Sequence, residues 1–507
     1  MATRRERETT MGSTSIGKLD SAAPAFSNWI ANRPVEALSG KVFEHVSPID
    51  GTVVARFADS GEADAAEAIR AARAAFDSGV WANAPARHRY KVLLKAAQII
   101  EANQQKLADR MVLESGKPAV TALGEVAGAV KTFEYYAGKV LDLEGSAISD
   151  RVPSALGLIL REPVGVAAMI TPWNFPLLNP VCKIAPALAA GCTVVVKPSH
   201  LCSGPAVLLA QYLAEAGVPD GVVNVVTSAL ERGAVVGQSL AASADVDKVA
   251  FTGSTATGRA VMRAAASNNK RVALELGGKS ANIVFDDADL DTAAKVAVSA
   301  FCFNSGQQCS AGTRLLVQDS VYDRFLDAVV RNAGLQIVGD PREPTTTMGP
   351  LVNREQYDRV MGYVEVGREC GKLAIGGDRP AAPALDRGFY LNPTVFADVG
   401  NDSRLAQEEV FGPVLAVVRF KDQADAIRLA NESRYGLAGG VWTRSLDRAL
   451  GVVRRIRTGK LFVNGYNNVG IDDMPHGGYK DSGIGREFGR EGLAEYQQLK
   501  TVQIKLG

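Results

Sequence analysis

The chain has 507 residues, more than a single hydrophobic core usually organises, so two or three domain-like units are expected. Its composition, 47% hydrophobic and 22% charged, is that of a folded α/β protein and excludes an intrinsically disordered chain. Lysine and arginine number 56 against 55 acidic residues, which gives no indication of a nucleic-acid or membrane partner. A small-molecule substrate is therefore expected.

The N-terminal segment is polar and carries an early RRERE cluster. This cluster is short and mixes both charges, so residues 1–22 are expected to form a disordered tail. No apolar run reaches the roughly 18 residues of a membrane span, and no signal-peptide core is recognisable. Six cysteines without CxxC spacing and only four histidines predict reduced thiols and no metal site. A cytoplasmic protein is expected.

Alanine-rich stretches from about Glu62 to Ala137 repeat apolar residues at three- and four-residue spacing, which predicts amphipathic helices. From Gly165 the pattern changes to short β-branched runs (VGVAAMI, CTVVVKPS, GVVNVV and KVAFTGS) separated by helical stretches. This alternation predicts a parallel sheet that binds ligands at the carboxyl ends of its strands.

A second alternation follows Arg271 and runs through LELGGKSANIVF, TRLLVQ, LNPTVFADV and GPVLAVVRF to about Met474. It predicts a second α/β domain. Strand-like alternation with no covering helix lies between Gly138 and Arg161, and again after Tyr496. Such strands would leave open edges unless they pair in an oligomer.

Cys309 lies in FNSGQQCSAGTR, residues 303–314, among small and polar residues where a substrate could reach it. A thiolate adds readily to an aldehyde carbon, and a flexible neighbouring backbone can turn an amide toward the oxyanion that forms. Taken alone, the pattern also fits a structural loop cysteine. Cys302 and Cys192 have apolar neighbours and are predicted to be buried in the core.

Glu275 interrupts an apolar strand in RVALELGGKS and is followed by Leu276 and two glycines. A buried carboxylate is costly and titrates upward, so it suits a general base that deprotonates water. A solvent-exposed glutamate at a strand end is the alternative. Asn174, in ITPWNFP, could donate its amide to an oxyanion or cap the following helix.

Phosphate-binding candidates lie at the ends of two predicted strands. Lys197 follows one strand in VVVKPSH, and FTGSTATG (residues 251–258) follows another. The latter matches neither GxGxxG nor a Walker loop. Ser254 and the loop amides nevertheless open the next helix, whose N-terminus can hold a pyrophosphate oxygen.

Read in order, PWNFP, KPS, FTGST, LELGGKS, NSGQQC, EEVFGPV and GGYKDSG resemble the aldehyde dehydrogenase superfamily from about Phe43 to Lys505. The resemblance is closest to the hydrolytic, broad-substrate branch that includes betaine-aldehyde, phenylacetaldehyde and mitochondrial acetaldehyde enzymes. It implies oxidation of an aldehyde to a carboxylic acid with reduction of NAD or NADP. Cys309 would be the nucleophile, Glu275 the base that activates water, and Asn174 the side-chain half of the oxyanion hole, whose other half is the Cys309 amide.

The resemblance also implies a cofactor groove. Lys197 would reach the adenosine ribose, Ser254 the pyrophosphate, and Glu409 and Phe411 the nicotinamide ribose and ring. The full set of expected cofactor residues is Thr171, Trp173, Lys197, Ser199, His200, Gly233, Ser254, Leu276, Glu409 and Phe411. Glu487 matches an acid proposed to relay protons in this family, and a structural role is the alternative.

Two features depart from the family pattern. His200 replaces an acid that in many NAD-preferring relatives binds the ribose hydroxyls and repels a 2′-phosphate, so NADP stays open. Cys182 and His476 occupy substrate-tunnel positions that are often aromatic in relatives. Asp472 and Asp473, near the expected tunnel mouth, could favour a cationic or polar aldehyde or be solvated loop acids.

The predicted fold class is α/β, with a Rossmann-like cofactor domain, an α/β catalytic domain and a small β oligomerisation element. After a tail at 1–22, the cofactor domain takes residues 23–137 and 161–275, the catalytic domain 276–474, and the oligomerisation element 138–160 and 488–507. A homodimer or homotetramer is expected, with a small aldehyde as substrate and neither nucleic acid nor membrane as partner. The alternatives are a CoA-acylating or semialdehyde-specific dehydrogenase and a non-catalytic, crystallin-like protein.

Overall fold

The computed structural model describes residues 23–467 and 473–507, so the predicted tail 1–22 and Asp472 lie outside the described residues. The described α-helices are α1 (Glu62–Asp77), α2 (Ala86–Ala102), α3 (Gln104–Ser115), α4 (Ala119–Val140), α5 (Leu178–Ala190), α6 (Gly204–Ala216), α7 (Leu230–Ala242), α8 (Thr255–Ala265), α9 (Leu290–Cys302), α10 (Tyr322–Ala333), α11 (Arg354–Cys370), α12 (Arg404–Gln407), α13 (Gln423–Asn431), α14 (Leu446–Val453) and α15 (Gly489–Ala494).

The described strands are β1 (Ala25–Phe26), β2 (Asn28–Ile30), β3 (Arg33–Val35), β4 (Val42–Val46), β5 (Val53–Ala58), β6 (Ser146–Ile148), β7 (Ala155–Pro163), β8 (Val166–Ile170), β9 (Thr193–Lys197), β10 (Val223–Val225), β11 (Lys248–Thr252), β12 (Arg271–Glu275), β13 (Ala281–Val284), β14 (Arg314–Gln318), β15 (Lys372–Ile375), β16 (Thr394–Ala397), β17 (Val414–Phe420), β18 (Tyr435–Gly436), β19 (Ala438–Trp442), β20 (Lys460–Val463), β21 (Tyr479–Lys480), β22 (Gly483–Ile484) and β23 (Gln497–Lys505).

The first large sheet has eight strands in the order β22-β12-β11-β8-β9-β10-β2-β3. Its five central strands, β8 to β12, are parallel, and the outer strands are antiparallel. Strands β8, β9 and β10 are buried along almost their whole length because helices cover both faces. The chain moves outward from β8 to β10, then returns to the other side of β8 through β11. The predicted βαβ sheet is confirmed, and this reversal creates a crevice at the carboxyl ends of its strands.

The second large sheet has seven strands in the order β15-β16-β17-β14-β13-β19-β20, all parallel except β15. It confirms the second α/β unit predicted from the alternation after Arg271. Strand β12 of the first sheet and β13 of the second are joined directly by residues 276–280. This short connection brings the carboxyl end of β12 close to the amino end of β13.

A separate three-stranded sheet joins the two segments that showed uncovered strand patterns. β23 pairs antiparallel with β7 over nine residues, and β7 pairs with β6. The segment 488–507 is not entirely β, however, because residues 489–494 form α15, whose Leu493 packs in the core. Helix α4 likewise extends to Val140, past the expected start of the β segment. The domain division stays a prediction.

Helices α1 to α4 confirm the helical prediction for residues 62–137, with one difference. The stretch that reads as a single helix from Arg89 breaks at Asn103, where α2 ends and α3 begins. Among residues 23–467 and 473–507, no helix has the length and apolar character needed to span a bilayer.

A buried ion pair between Lys117 and Glu125 fixes the segment that precedes α5. One Glu125 oxygen contacts the Lys117 ammonium, and the other accepts hydrogen bonds from the backbone N–H groups of Leu177 and Leu178, both at 2.9 Å. The N-cap residue of α5 supplies no side-chain acceptor for the first backbone N–H groups of the helix, and Glu125 takes that place. These hydrogen bonds fix the C-terminal end of the loop that carries Asn174.

Replacing Glu125 by Gln is expected to lower the free energy of unfolding by about 3–5 kcal/mol, because the Lys117 ammonium stays buried without its carboxylate. Urea denaturation followed by circular dichroism measures the change. Glu101→Gln, on the exposed surface of α2, is the control and should leave the midpoint unchanged. A wild-type midpoint for Glu125→Gln would contradict the prediction.

Candidate active site

The loop that carries Cys309 is held in an unusual backbone conformation. Three consecutive residues, Asn304, Ser305 and Gly306, have positive φ angles of 52°, 56° and 71°. Such a run is costly for non-glycine residues and persists only when tertiary contacts hold it. Here the Ser305 hydroxyl donates to the Gly349 carbonyl at 2.8 Å. The surrounding structure therefore fixes the path of the chain just before Cys309.

The Cys309 side chain is partly exposed and lines a cavity of about 690 Å³. Burial, followed by the negative charges of Glu409 and Glu275, raises the pKa of Cys309 to about 12. The thiol is therefore protonated at neutral pH and must lose its proton as it reacts. Cys302 and Cys192 are buried in the core, as predicted.

Glu275 ends strand β12 and is only 5% exposed. Burial, followed by the negative charge of Glu487, raises the pKa of Glu275 well above its ordinary value. Within the described part of the chain neither carboxylate oxygen has a hydrogen-bond partner. The prediction of a buried carboxylate is confirmed, and the alternative of a solvent-exposed strand end is wrong.

Asn174 does not cap α5, whose first amides are bound by Glu125. Its side-chain amide nitrogen donates to the backbone carbonyl of Gln307 at 3.1 Å, and its backbone carbonyl accepts from Asn304 at 3.1 Å. These two bonds join Asn174 to the loop of Cys309. An amide nitrogen has two hydrogens, so one remains for an oxyanion.

A second buried ion pair lies beside Glu275. The Lys183 ammonium contacts Glu487 and also donates to Thr252 Oγ1 at 2.6 Å. Although burial opposes ionisation, the Lys183 charge lowers the pKa of Glu487. Cys182 belongs to this cluster, because its thiol lies 3.1 Å from Glu487 Oε2. Cys182 does not line the cavity, which corrects its expected place in a substrate tunnel.

The cavity has an aromatic wall, and some of its residues were not identified from the sequence. Phe175 and Phe303 stack with ring centroids 6.3 Å apart, and Phe462 contacts Tyr466 at 5.4 Å. His476 lines the same cavity, as expected for a tunnel residue. Asp473 is exposed and is not among the lining residues. The largely apolar wall suits the body of a small organic substrate.

The predicted cofactor residues converge on the carboxyl end of the eight-stranded sheet. Thr171 follows β8, Lys197 ends β9, Leu276 follows β12, and Ser254 follows β11, where it caps α8 by accepting from Thr257 N–H at 3.2 Å. Ser199 lies in the turn after β9, where its hydroxyl accepts from the backbone of Leu201. The N-terminus of α8 therefore lies at this edge, where a helix N-terminus can bind an anion.

The groove between β9 and α7 fits a dinucleotide. A Cβ at Gly233 would lie 3.2 Å from Lys197 Nζ and 3.4 Å from Ser228 Oγ, so a side chain at this position would crowd both groups. The hydroxyls of Thr171 and Ser228 are buried and have no partner among the described residues. Burial lowers the pKa of Lys197 to about 8. Ser228 was not predicted from the sequence. It follows β10, so the criterion that selected Lys197, a polar residue at the carboxyl end of a predicted strand, could have identified it.

His200 is neutral at physiological pH, because burial, followed by the charges of Lys197 and His45, lowers its pKa to about 4. At the other end of the groove the Trp173 and Phe411 rings meet edge to face at 5.4 Å. Glu409 Oε1 accepts from the backbone N–H of Gly278 at 3.0 Å. Burial raises the pKa of Glu409 to about 7. Glu409 is thus brought to the β12–β13 connection, while Phe411 contacts Trp173.

Comparison with known proteins agrees with this geometry. The model of the aldehyde dehydrogenase family matches residues 35–502. A betaine aldehyde dehydrogenase of Bacillus subtilis is 44% identical over 458 residues, which cover 90% of this chain and 93% of that protein.

Two solved structures have nearly the same fold. An NAD-dependent aldehyde dehydrogenase from Sinorhizobium meliloti superposes with a TM-score of 0.93 at 41% identity, covering 95% of both chains. The indole-3-acetaldehyde dehydrogenase of P. syringae, in complex with NAD+ and IAA, has a TM-score of 0.92 at 41% identity, covering 95% of this chain and 97% of that one.

Proposed function

Because the chain belongs to the aldehyde dehydrogenase family, we propose that it oxidises an aldehyde to a carboxylic acid through a thioester on Cys309, with NAD or NADP as the hydride acceptor. One observation carries the proposal. The thiol of Cys309 lines an aromatic cavity together with His476, whose Nε2 lies 3.9 Å from the buried carboxylate of Glu275. Asn174 is bonded to the same loop, so nucleophile, base and oxyanion donor occupy one place.

In the first step the Cys309 sulfur adds to the aldehyde carbon and loses its proton. Its raised pKa requires a proton acceptor for this step, and the buried carboxylates of Glu409 and Glu275 both act on the thiol. The carbonyl oxygen becomes an oxyanion, which the Asn174 amide and the Cys309 backbone N–H stabilise. Both donors are held in place before the reaction, so little reorganisation is needed.

Residues of the groove would hold the cofactor against this centre. Lys197 and the glycine at 233 border the adenosine end, Ser254 and the N-terminus of α8 the pyrophosphate, and Glu409 and Phe411 the nicotinamide ribose and ring. A bound nicotinamide would supply the hydride acceptor that lets the Cys309 adduct be oxidised to a thioester.

Hydrolysis of the thioester completes the reaction. Glu275 in its ionised form takes a proton from water, whose oxygen attacks the thioester carbon. The carbon–sulfur bond then breaks and Cys309 is restored. Transfer of the acyl group to coenzyme A would not need a buried base at this position, so the retained Glu275 favours hydrolysis.

We propose a homodimer or homotetramer in the reducing cytoplasm. Strand β23 at the edge of the three-stranded sheet carries exposed Leu499 and Ile504, at 63% and 39% of full exposure. A second copy could cover this apolar edge. All six cysteines are unpaired, which suits a reducing compartment. Multi-angle light scattering of the full chain measures the assembly.

Cys309→Ala is expected to abolish dehydrogenase activity, by at least about a thousandfold, while cofactor binding persists, because only the nucleophile is removed. Reduced-cofactor absorbance at 340 nm measures the rate, and fluorescence titration measures the binding. Cys302→Ala is the matched control and should affect stability more than turnover. Near-normal activity of Cys309→Ala would exclude the thioester mechanism.

Glu275→Gln should separate the two halves of the reaction. Hydride transfer can precede hydrolysis, so stopped flow should show a burst of reduced cofactor followed by turnover slower by about a hundredfold or more. In the wild type, hydrolysis should accelerate as pH rises through the raised pKa of Glu275, because the deprotonated form is the base. A normal steady-state rate in the variant would remove Glu275 from the mechanism.

The cofactor preference should depend on His200. A neutral imidazole does not repel a 2′-phosphate, so the wild type should use NADP measurably. His200→Glu should raise the NAD/NADP ratio of kcat/KM by about tenfold or more, because like charges repel at close range. His200→Gln is the uncharged control and should leave the ratio near that of the wild type. Strict NAD use by all three proteins would contradict this assignment.

A further inference from the structure

His476 stands close to the carboxylate of Glu275. Its Nε2 lies 3.9 Å from Glu275 Oε2, and its ring lines the cavity that Cys309 also lines. The next residue passes beside the same carboxylate, since a Cβ at Gly477 would lie 2.8 Å from Glu275 Oε1. Residues 476 and 477 therefore form the wall of the site opposite to the end of β12.

The position of His476 is fixed by its backbone. Its N–H donates to the Glu487 carbonyl at 2.7 Å, and its carbonyl accepts from the Glu487 N–H at 2.8 Å. Glu487 is held in turn by the buried Lys183 ammonium. The backbone of His476 is therefore anchored to Glu487, which belongs to the ion pair beside Glu275. The His476 side chain remains 18% exposed.

A separation of 3.9 Å between nitrogen and oxygen is too long for a direct hydrogen bond. It nevertheless allows one water molecule to lie about 2.8 Å from both atoms, with its oxygen at the apex. Each hydrogen of that water would point to one of the two side chains. The oxygen lone pairs would then face away from both, toward the cavity.

We propose that His476 and Glu275 together hold the water that hydrolyses the thioester on Cys309, with His476 as a water-positioning residue. This rests on the proposed function. The water oxygen attacks the thioester carbon, one water proton passes to Glu275 Oε2, and the other hydrogen stays on the oxygen and donates a hydrogen bond to His476 Nε2. The carbon–sulfur bond breaks, the sulfur takes the proton that Glu275 received, and the products are the carboxylic acid and the Cys309 thiol.

The charges around the ring are consistent with its role as an acceptor. The groups that act on His476 are Lys460, Glu487, Lys183, Arg486 and the nearby Glu275. Burial, followed by the positive charge of Lys460, lowers the pKa of His476 to about 4. The ring is neutral at physiological pH and has one nitrogen free to accept. Two acceptors on one water also leave its oxygen more nucleophilic than a single contact would.

The test measures acyl-enzyme hydrolysis directly. The full-length protein in excess is mixed with NAD+ and whichever of propanal, hexanal, phenylacetaldehyde and trimethylammonioacetaldehyde gives the highest kcat/KM. Stopped flow records reduced cofactor, and quenched samples analysed by intact mass spectrometry follow the acyl adduct on Cys309. For His476→Phe, which keeps a ring but no acceptor, the adduct should form at the wild-type rate and decay about tenfold more slowly.

His476→Gln should restore most of the decay rate, because its amide oxygen can reach the place of Nε2. His476→Leu serves the same purpose as the Phe variant if the latter does not fold. His88→Phe, on the exposed surface beside Trp81, is the control for loss of a histidine and should change neither step.

Three results would overturn the proposal: unchanged decay in the Phe or Leu variant, an equal loss in adduct formation and decay, or no recovery with Gln. The outcome is separable from that of the proposed function. If Cys309→Ala forms no adduct while the adduct of His476→Phe decays at the wild-type rate, the thioester mechanism stands and only the role of His476 fails. If Cys309→Ala remains active, the proposed function itself fails.

Discussion

The whole site depends on a close approach of backbones at Gly277 and Gly278, in the short connection between β12 and β13. A Cβ at Gly278 would lie 2.5 Å from the carbonyl oxygen of Cys309, and a Cβ at Gly277 would overlap the carboxylate of Glu409. Only glycine leaves the space that these groups occupy. Because the two sheets meet through this connection, the loop of the nucleophile, the base at the end of β12 and Glu409 lie close together.

Burial of charge is the second constraint, and it sets the chemistry. A lone carboxylate in this position would cost several kcal/mol, so its protonated form is favoured and its pKa rises. Of the neighbouring ion pair, Glu487 adds to that rise and Lys183 opposes it, and neither forms a hydrogen bond with Glu275. The result is a carboxylate that binds protons more tightly than in water, which is the property a general base needs near neutral pH. The same burial keeps the thiol of Cys309 protonated until it reacts.

The parallel sheet explains why the cofactor groove lies where it does. The carboxyl ends of β8, β9, β11 and β12 all reach one edge of the sheet, and the helices that follow β8, β9 and β11 begin there. Side chains that are distant in the sequence, such as Thr171 and Ser254, are thereby brought to one groove. The catalytic loop reaches this edge from the second sheet. Asn174 contacts that loop by hydrogen bonds because Lys117 and Glu125 hold the segment before α5.

By itself the sequence determined the local patterns: amphipathic helices, β-branched strands, the glycines at tight approaches and the ordered motifs that carry Cys309, Glu275 and Asn174. These follow from short-range periodicity and residue chemistry, which any window of the chain displays. Tertiary structure alone decided which distant groups meet. Four such contacts are the capping of α5 by Glu125, the pairing of β23 with β7, the place of Cys182 beside Glu487, and the approach of His476 to Glu275. They join residues from 52 to 350 positions apart. No periodicity encodes such pairs, because their free energy comes from burial and complementary charge that exist only once the chain has packed.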